Sequence, residues 1–387
     1  MVKRHANNTS EAEFREPAAK TRRLTLVPSA CDVSVTNACN ATCDFCSFAR
    51  DKQLVKEKRW LNRADFARAL PILYRRGIRY LTFQGGEPLL HREIDGLVAD
   101  AAAAGIHAGV ITNGWMLPQK IESLIRAGLR TLLVSIDSHS LEKHEENRGL
   151  QGVGERIRQG LSVARHNGVL RMASVTVSRL VQYEALPELL DYLGFDAVVF
   201  SYPRREPFGS TSMVFSQNSS LIDFGKEELC EALESIKALK KRFPVFNPAA
   251  SIDDIKRHVR GEREHFACVG GYKYFYIDWN LNVWRCEAWN KPYGSVFDLD
   301  KIPDCRDRCT ACMMSCYRDA SVLMHAGMAF EDAMTAAGTG HLGEGTRLLF
   351  QRTVAQSLAS VVAQSRQVFR LAGRPLKHSG KEQLSAV

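Results

Sequence analysis

Short apolar runs alternate with longer amphipathic segments over the first half of the chain. Six of these runs have the length of strands, at 32–36, 80–84, 107–112, 131–137, 172–177 and 196–201. The segments between them carry apolar residues at helical spacing, and several end in glycine, as in RADFARALPILYRRG and LPELLDYLG. Six strand-then-helix units in succession predict a parallel sheet with right-handed crossovers.

This pattern predicts an α/β fold, built either as an open doubly wound sheet or as a barrel-like one. In both architectures the chemistry lies at the carboxyl ends of the strands. We therefore expect active-site motifs directly after the six apolar runs.

The pattern changes after about residue 201. A polar stretch leads to one predicted helix at 224–243 and then to a cysteine-rich stretch at 268–316, in which FYIDWNLNVWRCEAW indicates a hairpin. From about Thr346 a helical pattern with several arginines runs towards the C-terminus. We expect this terminal helix to pack on the body of the protein; the alternative is a helix on a membrane surface or a partner.

Charge and composition narrow the class of protein. Of the 387 residues, 45% are hydrophobic and 25% are charged, which is typical of a globular protein. The net charge of +9 resides in the two ends, because residues 1–23 carry +3 and residues 347–387 carry +6. A nucleic-acid channel through the formally neutral body is therefore not expected, whereas peripheral membrane contact through the basic C-terminal helix remains open. No apolar run predicts a membrane span or a signal peptide, so we expect a cytoplasmic protein.

Eleven cysteines in a reducing compartment favour metal or redox chemistry over disulfides. Cys39, Cys43 and Cys46 follow the first predicted strand directly, where functional loops are expected. Three thiolates on one loop can hold three irons of a cubane cluster and leave the fourth iron open to a ligand. Of the others, Cys31 and Cys230 stand alone in the sequence, and Cys230 has the setting of a core residue.

The stretch CNATCDFC resembles the CxxxCxxC signature of the radical S-adenosylmethionine (SAM) enzymes. The resemblance implies a [4Fe–4S] cluster on Cys39, Cys43 and Cys46 that binds SAM and cleaves it to a 5′-deoxyadenosyl radical. It also implies contacts to SAM from the motifs GGEP, TNG and SID, each of which ends a predicted strand. The cofactor-binding residues predicted in this way are Phe45, Gly85, Gly86, Glu87, Asn113, Ser135 and Asp137.

The downstream cysteines resemble the SPASM or shorter twitch extensions of these enzymes, which hold auxiliary iron–sulfur clusters. The full pattern is not met, since Leu281 stands where a glycine is usual. The resemblance implies one auxiliary [4Fe–4S] cluster, with Cys268, Cys286, Cys309 and Cys312 as the preferred ligands, Cys316 close behind them and Cys305 after it. The alternative is a four-thiolate zinc site at residues 305–316.

With the resemblance, these patterns imply an α/β fold with a partial (β/α)6 TIM-like barrel, a small cysteine-rich C-terminal domain and a terminal helix. The predicted divisions are a mobile basic tail at 1–25, a radical SAM core at 26–205, a linker and helix at 206–260, an auxiliary-cluster domain at 261–335, and a basic helix and tail at 336–387.

Three functions remain open on the sequence. The first is hydrogen abstraction from a small metabolite, leading to oxidation, epimerisation or rearrangement, with a reductant such as flavodoxin or ferredoxin as partner. The second is radical addition to or modification of a lipid or peptide, for example adenosylation of a lipid alkene. The third is a zinc-stabilised binding protein without redox chemistry. No catalytic acid or base is assigned; the residues considered for substrate contact, each also readable as a solvated loop residue, are Tyr202, Arg204, Arg205, Glu206 and Glu287.

Overall fold

The computed structural model describes residues 26–51 and 57–372. The predicted tail at 1–25 and the end of the predicted C-terminal segment, from residue 373, lie outside the described residues.

Nine strands form a single sheet in the described part of the chain. They are β1 Ser29–Thr36, β2 Ile78–Gly85, β3 His107–Thr112, β4 Thr131–Ile136, β5 Leu170–Thr176, β6 Ala197–Ser201, β7 Tyr274–Ile277, β8 Asn282–Trp284 and β9 Gly294–Ser295. The six predicted strands are confirmed as β1 to β6, and their ends agree with the apolar runs to within a few residues.

The sheet is open and has the order β6-β5-β4-β3-β2-β1-β7-β8-β9. Strands β1 to β6 pair in parallel with their sequence neighbours. Their helical crossovers give the α/β fold with a partial barrel that the sequence predicted. The carboxyl ends of these six strands consequently meet at one end of the barrel.

Twelve helices accompany the sheet in the described residues. They are α1 Ser47–Arg50, α2 Arg63–Arg75, α3 Ile94–Ala103, α4 Leu117–Arg126, α5 Leu141–Arg148, α6 Val153–His166, α7 Leu186–Leu193, α8 Lys226–Leu239, α9 Ala249–Arg260, α10 Ser315–Gly338, α11 Leu342–Leu349 and α12 Arg352–Ala372.

Local sequence signals set many of the helix ends. The side chain of Asn62 caps α2 by accepting a hydrogen bond from the Asp65 N–H at 3.0 Å. Helix α7 ends at Gly194, whose φ of 91° lies in the left-handed region that glycine adopts without steric cost. The predicted helix at 224–243 is confirmed in shorter form as α8, whereas α9 was missed. Its signals are short, an apolar spacing of Ile252 and Ile255 and a terminal Gly261.

The cysteine-rich segment joins the core sheet instead of standing apart from it. Strand β7 pairs in parallel with β1, from Ala30 opposite Tyr274 to Val33 opposite Ile277, and β8 pairs antiparallel with β7. The predicted hairpin is therefore confirmed. Leu281 adopts a φ of 60° in its turn, the conformation for which a glycine would be favoured.

The C-terminal helices differ from the sequence prediction. A single helix was expected from about Thr346, but the chain breaks between α11 and α12. Helix α12 packs on α10 through Val354 and through Ser357, whose hydroxyl accepts a hydrogen bond from the Ala326 N–H at 3.0 Å. Further along, however, its apolar side chains face outwards. The exposed members are Leu358, Val361, Val362 and Phe369. None of the described helices is both long enough and apolar enough to span a bilayer.

Candidate active site

The loop that carries the first three cysteines follows β1 at the carboxyl end of the barrel. Its backbone is tied to more distant segments: the Ser47 N–H donates to the carbonyl oxygens of Met213 at 3.0 Å and Phe215 at 2.9 Å. The Thr42 N–H donates to the Arg148 carbonyl at 2.9 Å. These contacts hold the loop over the end of the sheet.

All three thiols of this loop line one cavity of about 390 Å³. Burial is the largest of the influences that raise the pKa of Cys39 to about 12, so this thiol stays protonated until a metal binds. Phe45, which lies just before the third cysteine and is 7% exposed, lines the same cavity.

The donor set fits an iron–sulfur cluster. Within the described residues, no three His, Cys, Asp or Glu side chains converge tightly enough to hold a single metal ion. A cubane cluster makes no such demand, because each thiolate binds a different iron at a corner of the cube. Three thiols on one loop, facing one cavity, are a fitting donor set for three of its four irons.

Gly85 and Gly86 bring the end of β2 against the start of the cysteine loop. A Cβ atom on Gly85 would lie 2.2 Å from the Thr36 carbonyl oxygen, and one on Gly86 would lie 2.2 Å from the Ala38 carbonyl oxygen. The Glu87 N–H donates to the same Ala38 oxygen at 2.7 Å. The glycines are thus required for a backbone-to-backbone approach within the protein, in addition to any role beside a ligand.

Glu87 and Asn113 meet beside this loop. The buried Glu87 carboxylate accepts hydrogen bonds from the Thr112 hydroxyl at 2.6 Å, the Asn113 N–H at 2.7 Å and the Leu89 N–H at 3.0 Å. Burial raises its pKa despite these donors. The Asn113 side chain donates to Asn40 Oδ1 at 2.8 Å. Both residues line the cavity, so the motifs GGEP and TNG converge on the cysteine loop.

The SID motif places its two polar residues differently. Ser135 lines the cavity, whereas Asp137 is absent from its lining and is fully buried. The Asp137 carboxylate accepts hydrogen bonds from Arg148 at 2.6 Å and Asn147 at 2.9 Å. Burial alone would raise the pKa of Asp137, but Arg148 and His144 hold it below its usual value. Asp137 therefore influences the cavity only by holding Arg148, which does line it. The sequence analysis missed Arg148.

The second group of cysteines gathers around the hairpin and the loop before α10. Burial raises the pKa of Cys268 to about 11, and the neighbouring Cys312 and Cys309 add to the rise. Burial also raises the pKa of Cys286, with Cys312 and Cys268 as the next contributors. Cys268 thus lies near Cys309 and Cys312, and Cys286 lies near Cys268 and Cys312.

The remaining two cysteines of this group lie in different surroundings. The Cys305 N–H donates to the Gly271 carbonyl at 3.0 Å, and its thiol lies near Tyr293 and Arg285. Cys316, in the first turn of α10, lines the main cavity beside Asp32, and its thiol also lies near Cys312.

Of the five residues considered for substrate contact, three line the cavity and two do not. Tyr202, Arg204 and Glu287 line the cavity, whereas Arg205 is exposed and pairs with Asp223. Glu206 is likewise exposed and lies outside the lining. Lining residues that the sequence analysis missed are Asp32, Gln84, Asn247, Tyr274 and Asp319. Mainly through burial, the pKa of Asp32 rises to about 8 and that of Asp319 to about 7.

Comparison with known proteins agrees with this geometry. Residues 33–193 match the family described as the Radical SAM superfamily. A GTP 3′,8-cyclase of Stenotrophomonas maltophilia is 34% identical over 165 residues, which are 42% of this chain and 50% of that protein. A probable GTP 3′,8-cyclase of Aeropyrum pernix is 27% identical over 309 residues, 75% of this chain and 82% of that protein. The match to the first of these relatives spans only half of its length.

A solved structure shares the fold. The crystal structure of Streptococcus suis SuiB bound to S-adenosylmethionine superposes with a TM-score of 0.56 at 15% identity, covering 80% of this chain and 74% of that one. The family match falls on the barrel strands that carry the cysteine loop, GGEP, TNG and SID. Residues 33–193 form a domain of the Radical SAM superfamily, whose enzymes use a [4Fe–4S] cluster and SAM as cofactors.

Proposed function

We propose that this protein cleaves SAM reductively and uses the 5′-deoxyadenosyl radical to abstract a hydrogen atom from a small metabolite. The observation that carries the proposal is that the three thiols of one loop face the same cavity as Glu87 and Asn113. The cluster supplies the electron that breaks the sulfonium bond, and the protein orients SAM and excludes water.

Different side chains of the cavity suit different polar groups of SAM. Glu87 lines the cavity beside the cysteine loop and suits the ammonium group, whereas the Asn113 amide and the Arg148 guanidinium can donate to carboxylate and ribose oxygens. Phe45 covers an apolar part of the cofactor. Asp137 acts by holding Arg148 in place.

We assign one auxiliary [4Fe–4S] cluster to Cys268, Cys286, Cys309 and Cys312. The closeness of Cys268 to Cys309 and Cys312, and of Cys286 to Cys268 and Cys312, supports this set. The Arg318 guanidinium donates to the Cys312 carbonyl at 2.9 Å, and the Cys309 N–H donates to Asp307 at 3.1 Å, so both ligands of the loop are anchored. The reaction after hydrogen abstraction is an oxidation, epimerisation or rearrangement, with a flavodoxin or ferredoxin in the cytoplasm as the reductant.

Anaerobic reconstitution with iron and sulfide tests the proposal. We expect about eight irons per chain for two clusters, a brown protein, and formation of 5′-deoxyadenosine from SAM and dithionite. Chromatography with mass spectrometry separates free 5′-deoxyadenosine from an adenosylated product, which would favour radical addition instead. A colourless protein that binds zinc and leaves SAM intact would support the zinc-stabilised binding protein.

Single substitutions of the first cysteine group provide the matched controls. Cys39→Ala, Cys43→Ala and Cys46→Ala should each abolish 5′-deoxyadenosine formation, because each removes one of three ligands. Cys230→Ala, in the buried face of α8, should retain it. If all three variants cleaved SAM at the wild-type rate, the assignment of the loop would be wrong.

For helix α12 we propose peripheral contact with an anionic membrane. Its exposed apolar residues Leu358, Val362 and Phe369 share one face, and Arg366 and Arg370 follow Val362 at four-residue intervals beside that face. Such a contact would suit a lipid substrate.

Sedimentation with phosphatidylcholine vesicles, with and without phosphatidylglycerol, tests the membrane contact. The wild-type protein should bind only to the anionic vesicles, and the double variant Arg366→Glu with Arg370→Glu should not bind. Equal sedimentation of wild type and the double variant would refute the contact.

A further inference from the structure

Arg318, on α10, contacts both of the segments that carry Cys268 and Cys312. Its Nε donates to the Cys312 carbonyl at 2.9 Å, and a terminal nitrogen of the same guanidinium donates to the Phe266 carbonyl at 3.4 Å. Phe266 stands two residues before Cys268 in the chain. A single guanidinium group thus joins the Cys268 segment to the Cys312 loop.

The guanidinium of Arg318 also has a carboxylate partner, Glu264, which follows α9. The two groups form an ion pair, and their side chains are only 4% and 3% exposed. Glu264 Oε1 in turn lies 2.6 Å from His258 Nδ1, on α9. Because arginine keeps its proton in proteins, the pair places a permanent positive charge beside two proposed cluster ligands, with one carboxylate to balance it.

The charge of Arg318 extends to the thiols themselves. Burial raises the pKa of Cys268 and of Cys312, and in both cases the charge of Arg318 opposes that rise. Water is excluded from the ion pair, so solvent and salt screen this charge much less than they screen a charge on the surface. Any negative charge added among these cysteines is therefore stabilised by Arg318.

Two other guanidinium groups act on this group of cysteines, but their settings differ. Arg285 pairs with Asp307, whose side chain is 49% exposed. Arg204 lines the main cavity, with its guanidinium over the Phe208 ring. Of these three arginines, Arg318 is the one whose ion pair is buried on both sides.

We propose that Arg318 raises the reduction potential of the auxiliary cluster and that Glu264 limits this rise. The inference rests on the proposed function, since it concerns the auxiliary cluster assigned there. Reduction adds one negative charge to a [4Fe–4S] cluster, which a buried guanidinium stabilises and a buried carboxylate destabilises. The ion pair thus sets how readily the cluster accepts an electron, in addition to holding the Cys312 loop in place.

Removing one charge of the pair at a time tests the inference on the reconstituted, full-length protein. Arg318→Gln leaves the carboxylate alone and should lower the midpoint potential of the auxiliary cluster. Glu264→Gln leaves the guanidinium alone and should raise it. Redox titration followed by electron paramagnetic resonance measures the potentials, and spectra with and without SAM identify the auxiliary cluster as the one whose signal SAM does not change.

The opposite signs of the two shifts separate a role in the potential from a purely structural one. An arginine that only anchored the loop would not give a lower potential without its own charge and a higher one without the charge of Glu264. Shifts of the same sign in the two variants, or no shift in either, would overturn the inference.

Further variants guard against a loss of folding. Arg318→Lys retains the positive charge with fewer hydrogen bonds, so its potential should lie closer to the wild-type value than that of Arg318→Gln. If Arg318→Gln does not fold, Glu264→Gln still decides, because a potential at or below the wild-type value would overturn the inference. The matched controls are Arg158→Gln and Glu155→Gln, which break an exposed ion pair on α6 and should leave the potential unchanged.

The two proposals fail in distinguishable ways. Iron content and 5′-deoxyadenosine formation by the wild-type protein test the proposed function. A protein with about four irons per chain would lack the auxiliary cluster, which would overturn both that assignment and the inference. A protein with about eight irons in which the two charge variants do not shift in opposite directions retains the proposed function and loses only the role of the ion pair.

Discussion

At the scale of single residues, His144 gives the site an unusual dependence on pH. Its ring is fully buried beside Asp137, and its Nδ1 accepts a hydrogen bond from the Asp137 N–H at 3.2 Å. Burial, helped by the charge of Arg148 and opposed by Asp137, lowers the pKa of His144 to about 4. The folded protein therefore keeps this ring neutral at pH values where the unfolded chain would protonate it.

We expect the free energy of unfolding to fall as the pH decreases from about 6.5 towards 4. The unfolded chain takes up a proton in this range that folded His144 does not, and the loss reaches at most about 3 kcal/mol. His144→Asn retains an acceptor and removes the titration. Urea denaturation at several pH values should show the variant gaining on the wild type as the pH falls; a constant difference between them would contradict the prediction.

Cys312 and Cys316 stand only four residues apart, but we expect them to differ in their effect on iron content. Cys312 neighbours Cys268, Cys286 and Cys309. Cys316 also lies near Cys312, but it lines the main cavity beside Asp32 and Glu287. Cys312→Ser should reduce the iron of the reconstituted protein from about eight to about four per chain, while Cys316→Ser should leave it near eight. Iron analysis of the two variants tests this prediction. If Cys316→Ser halved the iron content and Cys312→Ser did not, Cys316 would be the ligand in place of Cys312.

At the scale of elements, the end of β2 and the loop after β1 form one tightly fitted unit. Gly86 and Glu87 both donate backbone hydrogen bonds into residues 36–38, at 2.8 and 2.7 Å. Because the contact joins two backbones, neither side can move without disturbing the position of the cysteines that follow.

Gly86→Ala should therefore destabilise the protein and impair cluster binding. The new Cβ would lie 2.2 Å from the Ala38 carbonyl oxygen, so the loop has to shift, at a cost of roughly 1–3 kcal/mol. Gly343→Ala, at a helix position with open space around it, is the control and should be neutral or slightly stabilising. Thermal unfolding and iron content of both variants test the prediction; an unchanged Gly86→Ala protein would refute it.

At the scale of the whole molecule, the sequence predicted those features that depend on neighbouring residues, namely the strands and the motifs at their ends. Each of the six barrel strands is an apolar run bounded by turn residues, and the cysteine loop, GGEP and TNG lie where such strands end. Arg148, Asp32 and Asp319 could not be located in this way. Arg148 lies on α5, Asp32 lies inside β1, and Asp319 lies on α10, far along the chain from both. Only the tertiary fold places all three at one cavity.

The terminal helix α12 also shows what the sequence could not predict. Its spacing of apolar residues predicted a helix correctly, but spacing alone does not say which face is covered. Val354 packs on α10, whereas Leu358, Val362 and Phe369 stay exposed. The partner of a helical face is a property of the assembled molecule.

The parallel pairing of β7 with β1 has a consequence for any shortened form of the protein. Residues 26–205 contain all six barrel strands, but without β7 the backbone of β1 from Ala30 to Val33 loses its hydrogen-bonding neighbour. An uncovered, largely apolar edge strand recruits other chains. The isolated barrel should thus aggregate, as size-exclusion chromatography and light scattering would show, and recovery of a stable monomer would contradict this. The auxiliary segment therefore covers the exposed edge of the barrel sheet. Its removal should cause self-association of the barrel, in addition to any loss of electron transfer.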